Sequence, residues 1–243
     1  MSASPTWVDY ILIFIFGFLL PIGTGLRSAA LFKSSTLHFN SYSRRRFYLG
    51  NSLSLFLMAA VIMVVWLLYG RPMEELGFRL PFNEFHSVTY LLSGLFVFIF
   101  LADSLYSSWE MNSSKENLEE FKRHAPFMPT EKDDLPTYLI MCMSAAVFEE
   151  IVFRGYLITV VQKLFHSFPA ADTMALLIPA ILFSIAHYYQ GLAAVFKIAV
   201  LSFLFGMIYW YSGSLIPVIL LHFLVDLTSG LVCVYGVRRD REA

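Results

Sequence analysis

The stretch FYLGNSLSLFLMAAVIMVVWLLY, residues 47–69, contains no charged side chain across 23 consecutive positions. A transmembrane helix needs about 20 mostly apolar residues to cross the hydrocarbon core of a bilayer. The stretch lacks the period-two alternation of polar and apolar residues that marks barrel strands. Since only helices and closed barrels satisfy their backbone hydrogen bonds in lipid, residues 47–69 predict a membrane-spanning helix.

The rest of the chain has the same character. Of its 243 residues, 58% are hydrophobic and 14% are charged, whereas roughly a quarter are charged in ordinary soluble domains. Six further apolar runs occur at residues 8–26, 88–105, 136–165, 174–187, 192–211 and 215–237. We therefore predict an all-α, polytopic transmembrane helix bundle of about seven spans, with a long fourth span and a short fifth. No soluble domain is left over, so residues 1–243 are expected to form a single membrane domain.

Basic residues are distributed unevenly between the segments that connect these runs. One set of alternate segments contains Arg27, Lys33, Arg44, Arg45, Arg46, Lys115, Lys122, Arg123, Lys132, Arg238, Arg239 and Arg241. The opposite set contains only Arg71, Arg79 and Lys163. Because Lys and Arg are enriched in cytoplasmic loops, this asymmetry predicts that the N-terminus lies outside and the C-terminus in the cytoplasm.

Charge outside the spans is concentrated in residues 107–134, where acidic and basic side chains alternate. This pattern is typical of a solvated amphipathic helix. The net charge of the whole chain is only −1. The overall balance therefore gives no indication of a nucleic-acid partner.

Two adjacent carboxylates and an arginine interrupt the fourth apolar run in the stretch EEIVFR, residues 149–154. Ionisable side chains in a span are costly, and they usually face the bundle interior and mark a functional site. Glu150 and Arg154 are four residues apart, so they share a helix face and can form an ion pair. Glu149 lies about 100° further around the helix. One carboxylate can therefore be structural while the other is available for chemistry.

Two more polar clusters lie in later spans. FSIAH, residues 183–187, places His187 one turn after Phe183, and HFLVD, residues 222–226, places His222 one turn before Asp226. With a rise of 1.5 Å per residue, Glu149, His187 and Asp226 each lie about 20 Å from the start of their helix. Glu149 is measured from the cytoplasmic side and the other two from the outer side, so the three clusters are expected to meet near the bilayer centre or in its cytoplasmic half.

The residue types alone leave several functions open. Glu149, His187 and His222 are ligand types of a catalytic zinc site, although the sequence has no HExxH motif. The same residues would suit a proton or ion relay in a transporter or an immunity-type binding protein. A purely structural set of polar clamps is a third interpretation.

The three clusters match, in order, the motifs EExxxR, FxxxH and HxxxN/D. On these residues the chain resembles the CAAX protease and bacteriocin-processing family of glutamic intramembrane proteases. The resemblance covers roughly residues 73–237 and includes MEELGFRL, residues 73–80, which is similar to a weaker element that often precedes these motifs.

The resemblance implies a catalytic site made of Glu149, Glu150, Arg154, His187, His222 and Asp226. In that site Glu149 would activate a water molecule with help from His187. His222 and Asp226 would line the oxyanion region, and the remaining two residues would support the site. An ionised Asp can only accept hydrogen bonds, so Asp226 is expected to orient His222 rather than to contact the oxyanion.

The resemblance also implies a substrate and a location. The expected activity is hydrolysis of a peptide bond in a membrane-associated protein or peptide, such as a lipidated, CAAX-type protein, without a metal or other cofactor. Some members of the family are linked to bacteriocin self-immunity, so a non-catalytic role remains a competing prediction. The expected partners are the substrate and the lipid bilayer, and the expected location is the bacterial cytoplasmic membrane.

The asymmetry of basic residues generates a topology prediction. A reporter fused after Arg241 should be active in the cytoplasm, because the tail is one of the Lys- and Arg-rich segments. An enzymatic reporter that works only on one side of the membrane provides the measurement. A signal from the outer side would contradict the predicted orientation.

Overall fold

The computed structural model describes residues 4–33, 39–81, 86–113 and 125–239, and in these ranges it contains seven helical rods and no strand. We number them α1 (7–33), α2 (Ser41–Leu68), α3 (His86–Ser113), α4 (135–164), α5 (Ala171–Ala186), α6 (Leu192–Ser212) and α7 (Leu215–Arg239). Each of the seven predicted apolar runs coincides with one of these helices, which confirms the all-α bundle. The amphipathic helix predicted in residues 107–134 falls largely on 114–124, outside the described residues.

The lengths of the helices agree with the prediction of a long fourth and a short fifth span. Six helical segments are long and apolar enough to cross a membrane, and the one that contains α4 spans Lys132–Leu164, 33 residues. By contrast, α5 has only 16 residues, about 24 Å at the rise of an α-helix. A bilayer core is about 30 Å thick, so α5 is shorter than that thickness, whereas the other six of the predicted seven spans are long enough to cross it.

Helix α4 lies in the middle of the bundle. Val152, Tyr156 and Leu157 are at most 1% exposed, and they belong to one apolar cluster with residues of α1, α2 and α5. A helix that is surrounded by protein can carry charged side chains without presenting them to lipid. This placement explains how the polar stretch at residues 149–154 is tolerated.

The hydrogen bonding of α4 changes at the polar stretch. Leu135–Glu150 is α-helical, Ile151–Ile158 forms a π-helix, and Thr159–Leu164 returns to the α-helix. A second π-helix, Ile13–Leu19, interrupts α1. π-Helical turns are rare in proteins, and those that occur often lie at functional sites. The π-helix directly after Glu150 therefore indicates that this part of α4 belongs to a functional site.

A buried ion pair holds the end of the bundle where α1 begins, which we call the Asp9 end. Arg71 donates from Nη1 to Asp9 Oδ1 at 2.8 Å and from Nη2 to Asp9 Oδ2 at 2.6 Å. The Tyr156 hydroxyl donates to Asp9 Oδ1 at 3.0 Å. The hydrogen-bonded carboxylate raises the pKa of Arg71 above its usual value. This network joins α1 to α4 and to the segment after α2.

The segment MEELGFRL closes the same end. Its Glu75 carbonyl accepts a hydrogen bond from Thr159 at 3.1 Å, and its Gly77 carbonyl accepts one from the Leu215 amide at 3.0 Å. Gly77 has φ +85°, and a Cβ at this position would lie 2.5 Å from the Tyr209 ring. A glycine is therefore required for this segment to pack against α6 while it ties α4 to α7.

The opposite end, which we call the Asp134 end, has its own buried ion pair. Asp134 directly precedes α4, where the sequence suggests a capping side chain, but the structure shows no side-chain cap hydrogen bond there. Instead, its Oδ2 accepts from Arg44 Nε at 2.7 Å, and both side chains are buried. The partner lies 90 residues away in the chain, beyond the reach of a local capping rule.

A third ion pair, between α3 and α6, is partly exposed. Lys197 Nζ lies 2.9 Å from Asp103 Oδ2, and the two side chains are 47% and 34% exposed. Sequence alone suggests only that each residue reaches water near a helix end. The structure shows instead that they contact each other.

Breaking a buried ion pair is expected to lower the free energy of unfolding more than breaking an exposed one. We expect Asp9→Asn to lower the free energy of unfolding by roughly 3–5 kcal/mol, because it leaves the Arg71 charge buried and uncompensated. Asp103→Asn is the matched control, and it should cost at most about 1 kcal/mol because its pair is partly hydrated. Unfolding of both variants in the same detergent micelles gives the comparison. Equal losses would contradict the importance of the Asp9 network.

Candidate active site

Glu150 is the centre of the polar site. Its Oε1 accepts from Arg154 Nη1 at 2.9 Å and is 2.7 Å from His222 Nδ1. Glu150 is fully buried, and Arg154 and His222 are 2% and 8% exposed. The predicted ion pair within the first motif is therefore confirmed. The third motif joins the same carboxylate from α7.

Arg154 has further partners on two other helices. Its Nη2 donates to Ser202 Oγ of α6 at 2.8 Å, and its guanidinium group lies 4.7 Å from the ring centroid of Phe183 and 5.3 Å from that of Phe205. Cation–π contacts of this kind favour a desolvated arginine. Ser202 was not predicted, because one serine inside an apolar run carries no sequence signal of its own.

The other nitrogen of His222 faces two more carboxylates. Its Nε2 lies 3.6 Å from Asp226 Oδ2 and 3.9 Å from Glu149 Oε2. Both distances exceed those of good hydrogen bonds. The expected sharing of a face by His222 and Asp226 is confirmed, and Glu149 belongs to the same cluster.

The two adjacent glutamates differ in their surroundings. The Glu150 side chain is 0% exposed, whereas the side chains of Glu149 and Asp226 are 17% and 30% exposed. Among the described residues, Glu149 forms no side-chain hydrogen bond, while Glu150 binds both Arg154 and His222. Water can therefore reach Glu149 but not its neighbour.

His187 is the residue at which α5 ends. Its Nδ1 lies 2.9 Å from the Phe183 carbonyl oxygen. A carbonyl only accepts, so Nδ1 carries the proton and Nε2 of a neutral ring is left as an acceptor. The Phe183 ring lies 4.7 Å from the His187 ring and 6.1 Å from the His222 ring. The second motif therefore joins the cluster through Phe183.

The turn after His187 brings an unpredicted tyrosine to the site. Tyr188–Gln190 is a short 3₁₀ helix, and the ring of Tyr189 lies 6.0 Å from that of His187. In the sequence, the only sign that Tyr189 could belong to the site is its position two residues after His187.

Helix α7 is positioned at the site by Tyr138 of α4. The Tyr138 hydroxyl donates to the Asp226 carbonyl at 2.9 Å, and a Cβ at Gly230 would lie 2.1 Å from the Tyr138 ring. The absence of a side chain at Gly230 therefore lets the tyrosine lie flat against α7. This contact sets the height of Asp226 and His222 relative to Glu149.

A catalytic zinc site needs at least three protein ligands around one point. Within the ranges that the structure describes, no group of three His, Cys, Asp or Glu side chains is arranged so that it could hold a metal. Cys142 and Cys233 are both free and buried, as is common for cysteines that act as small apolar packing residues.

The comparison with known families agrees with the motifs. Residues 131–228 match the family model described as Type II CAAX prenyl endopeptidase Rce1-like. This range contains all three motifs, so the predicted resemblance to the CAAX protease family is confirmed. The family is one of intramembrane proteases. No curated protein and no solved structure matches the chain.

The geometry of the buried cluster predicts the effect of substitutions in it. Arg154→Ala should lower the free energy of unfolding by roughly 3–5 kcal/mol, because the Glu150 charge loses its partner in a desolvated site. Ser202→Ala removes only one acceptor of Arg154 and should cost about 1–3 kcal/mol. Unfolding in detergent gives both values. A loss for Ser202→Ala that equals or exceeds the loss for Arg154→Ala would contradict this order.

Proposed function

Because residues 131–228 match the model of the Rce1-like CAAX prenyl endopeptidases, we propose that the chain is an intramembrane endopeptidase in which Glu149 activates the attacking water. The observation that carries the proposal is that two adjacent carboxylates differ in burial and in hydrogen bonding. Glu150 is buried and bound on Oε1 by Arg154 and His222, whereas Glu149 is 17% exposed and faces the same cluster.

Glu149 has what a general base requires. It is accessible to water, and among the described residues it has no hydrogen bond that would hold its lone pairs. In the proposed reaction, Glu149 takes a proton from a water molecule whose oxygen bonds to the scissile carbonyl carbon. When the C–N bond then breaks, the same proton passes to the leaving nitrogen.

The two histidines support this step from different sides. The unprotonated Nε2 of His187 can accept a hydrogen bond from the attacking water and orient it. His222 donates its Nδ1–H to Glu150, and in the proposed reaction its ring is the doubly protonated imidazolium, in which both nitrogens carry a proton. Its Nε2–H is then directed toward the space between Glu149 and Asp226. A donor in that position can stabilise the negative oxygen of the tetrahedral intermediate.

Asp226 completes the cluster as an acceptor. Its carboxylate lies 3.6 Å from His222 Nε2 and has no proton to offer an oxyanion while it is ionised. We therefore assign it the role of orienting His222. Glu150 and Arg154 hold His222 and α4 in place.

The family description points to the substrate class. We propose that the enzyme cleaves near the C-terminus of a lipidated, CAAX-type membrane protein or peptide. A site inside a bundle of apolar helices suits a substrate that is itself held at the membrane. The bacterial cytoplasmic membrane is the proposed location.

The proposal predicts that Glu149→Gln folds normally and loses at least about 10²- to 10⁴-fold in turnover, because it removes the general base. Glu150→Gln is the comparison variant: it should lower stability because it weakens the contacts to Arg154 and His222, and its loss of turnover should be smaller than that of Glu149→Gln because the general base is retained. The probe is a farnesylated CAAX-type peptide with a fluorophore and a quencher on either side of the scissile bond. Each variant is compared with the native protein at equal amounts of folded material, as judged by thermal melting.

Native turnover by Glu149→Gln would contradict the glutamate mechanism. Stoichiometric zinc in the active protein, with activity lost on chelation and restored by zinc, would favour a zinc-dependent protease instead. Membrane proteomics of cells with native protein or Glu149→Gln extends the test to other substrates. If no protein accumulates uncleaved in the variant and the peptide is not cleaved, the transport or immunity interpretation replaces the proposed function.

A further inference from the structure

The proposed reaction needs hydrogen-bond donors aimed at the developing oxyanion, and the three motifs supply few of them. An oxyanion hole commonly contains two donors. His222 Nε2 can supply one, while ionised Asp226 and Glu149 can only accept. His187 uses its one proton on the Phe183 carbonyl. A second donor must therefore come from outside the motif residues.

Tyr189 lies where such a donor is needed. Its ring is 6.0 Å from the ring of His187, the side chain proposed to orient the attacking water. A phenol is neutral and can donate at physiological pH. Tyr189 therefore brings a proton donor to a cluster that is otherwise rich in acceptors.

The Tyr189 ring is held in a defined orientation. The Phe32 ring packs against it edge to face, with centroids 5.4 Å apart, and the Phe127 ring lies 5.8 Å away. The turn ends at Gly191, whose φ of +94° favours glycine. A donor that is fixed in advance is effective, because no reorganisation is needed when negative charge develops.

Gln190 leaves the proton of the tyrosine available. The side-chain amide of Gln190 donates from Nε2 to the Tyr189 hydroxyl oxygen at 3.1 Å. This bond occupies a lone pair of the oxygen and not its proton. The Tyr189 proton can therefore be donated to another acceptor, and Gln190 limits the positions that the hydroxyl can adopt.

We propose that Tyr189 is a further catalytic residue, whose hydroxyl donates a hydrogen bond to the oxyanion together with His222 Nε2–H. This inference rests on the proposed function of the site. As the water oxygen bonds to the carbonyl carbon, the π electrons move to the carbonyl oxygen and Glu149 holds the water proton. Tyr189 keeps its own proton throughout. When the C=O bond re-forms, the C–N bond breaks and Glu149 gives its proton to the amine.

Tyr189→Phe tests this role because it removes the hydroxyl and keeps the ring that packs on Phe32. We expect kcat for the farnesylated CAAX-type peptide to fall about 10²- to 10³-fold, the loss typical of one oxyanion donor, with KM and melting temperature close to native. Tyr188→Phe, on the same turn, is the matched control and should keep native turnover. Gln190→Leu should give a smaller loss of kcat, because it removes only the hydrogen bond that restrains the Tyr189 hydroxyl.

A peptide aldehyde, whose hydrate mimics the tetrahedral intermediate, provides a second measurement. Tyr189→Phe should weaken its inhibition by about the same factor as kcat, since both report binding of the oxyanion. Native kcat in Tyr189→Phe with an inactive Glu149→Gln would overturn this inference and leave the proposed function intact. Native turnover in both variants would overturn the proposed function. If kcat falls and the melting temperature of Tyr189→Phe also falls well below that of the native protein, Tyr189 has a structural role and the inference is overturned.

Discussion

The bundle depends on satisfying one carboxylate, that of Glu150. A buried ion costs several kcal/mol unless its partners are well placed, and Glu150 is fully buried. Its partners come from its own helix and from α7, through Arg154 and His222, and Arg154 in turn contacts Ser202 on α6. Three helices are therefore held at fixed rotation and height by one negative charge. Any shift of one helix leaves a charge without its partner.

This constraint also gives two neighbouring glutamates different properties. Glu149 and Glu150 have the same side chain, but they differ by about 100° around α4. That rotation is enough to place one carboxylate among buried donors and the other at a partly exposed position near His222. An enzyme needs both kinds of residue, since a site must be rigid while its base remains available for reaction. In this chain the two requirements are met by consecutive residues.

Much of the fold and part of the site could be predicted from the sequence. Hydropathy located all seven helices, because a span is defined by the length and polarity of a continuous segment. The spacing of four residues predicted the pairing of Glu150 with Arg154 and of His222 with Asp226, since such pairs share a helix face whatever surrounds the helix. The three motifs in order indicated a resemblance to the CAAX protease family, and the family-model match over residues 131–228 confirms this resemblance.

The sequence by itself thus determined the helices, the local pairs within them and the family, because each of these depends on residues close together in the chain. Only the tertiary structure decided which distant residues meet. Ser202 binds Arg154 from 48 positions away, and Arg44 binds Asp134 from 90 positions away. The position of the Tyr189 ring beside His187 likewise depends on where the short α5 ends. Such contacts follow from the tilt, rotation and depth of whole helices, which packing sets and local periodicity does not encode.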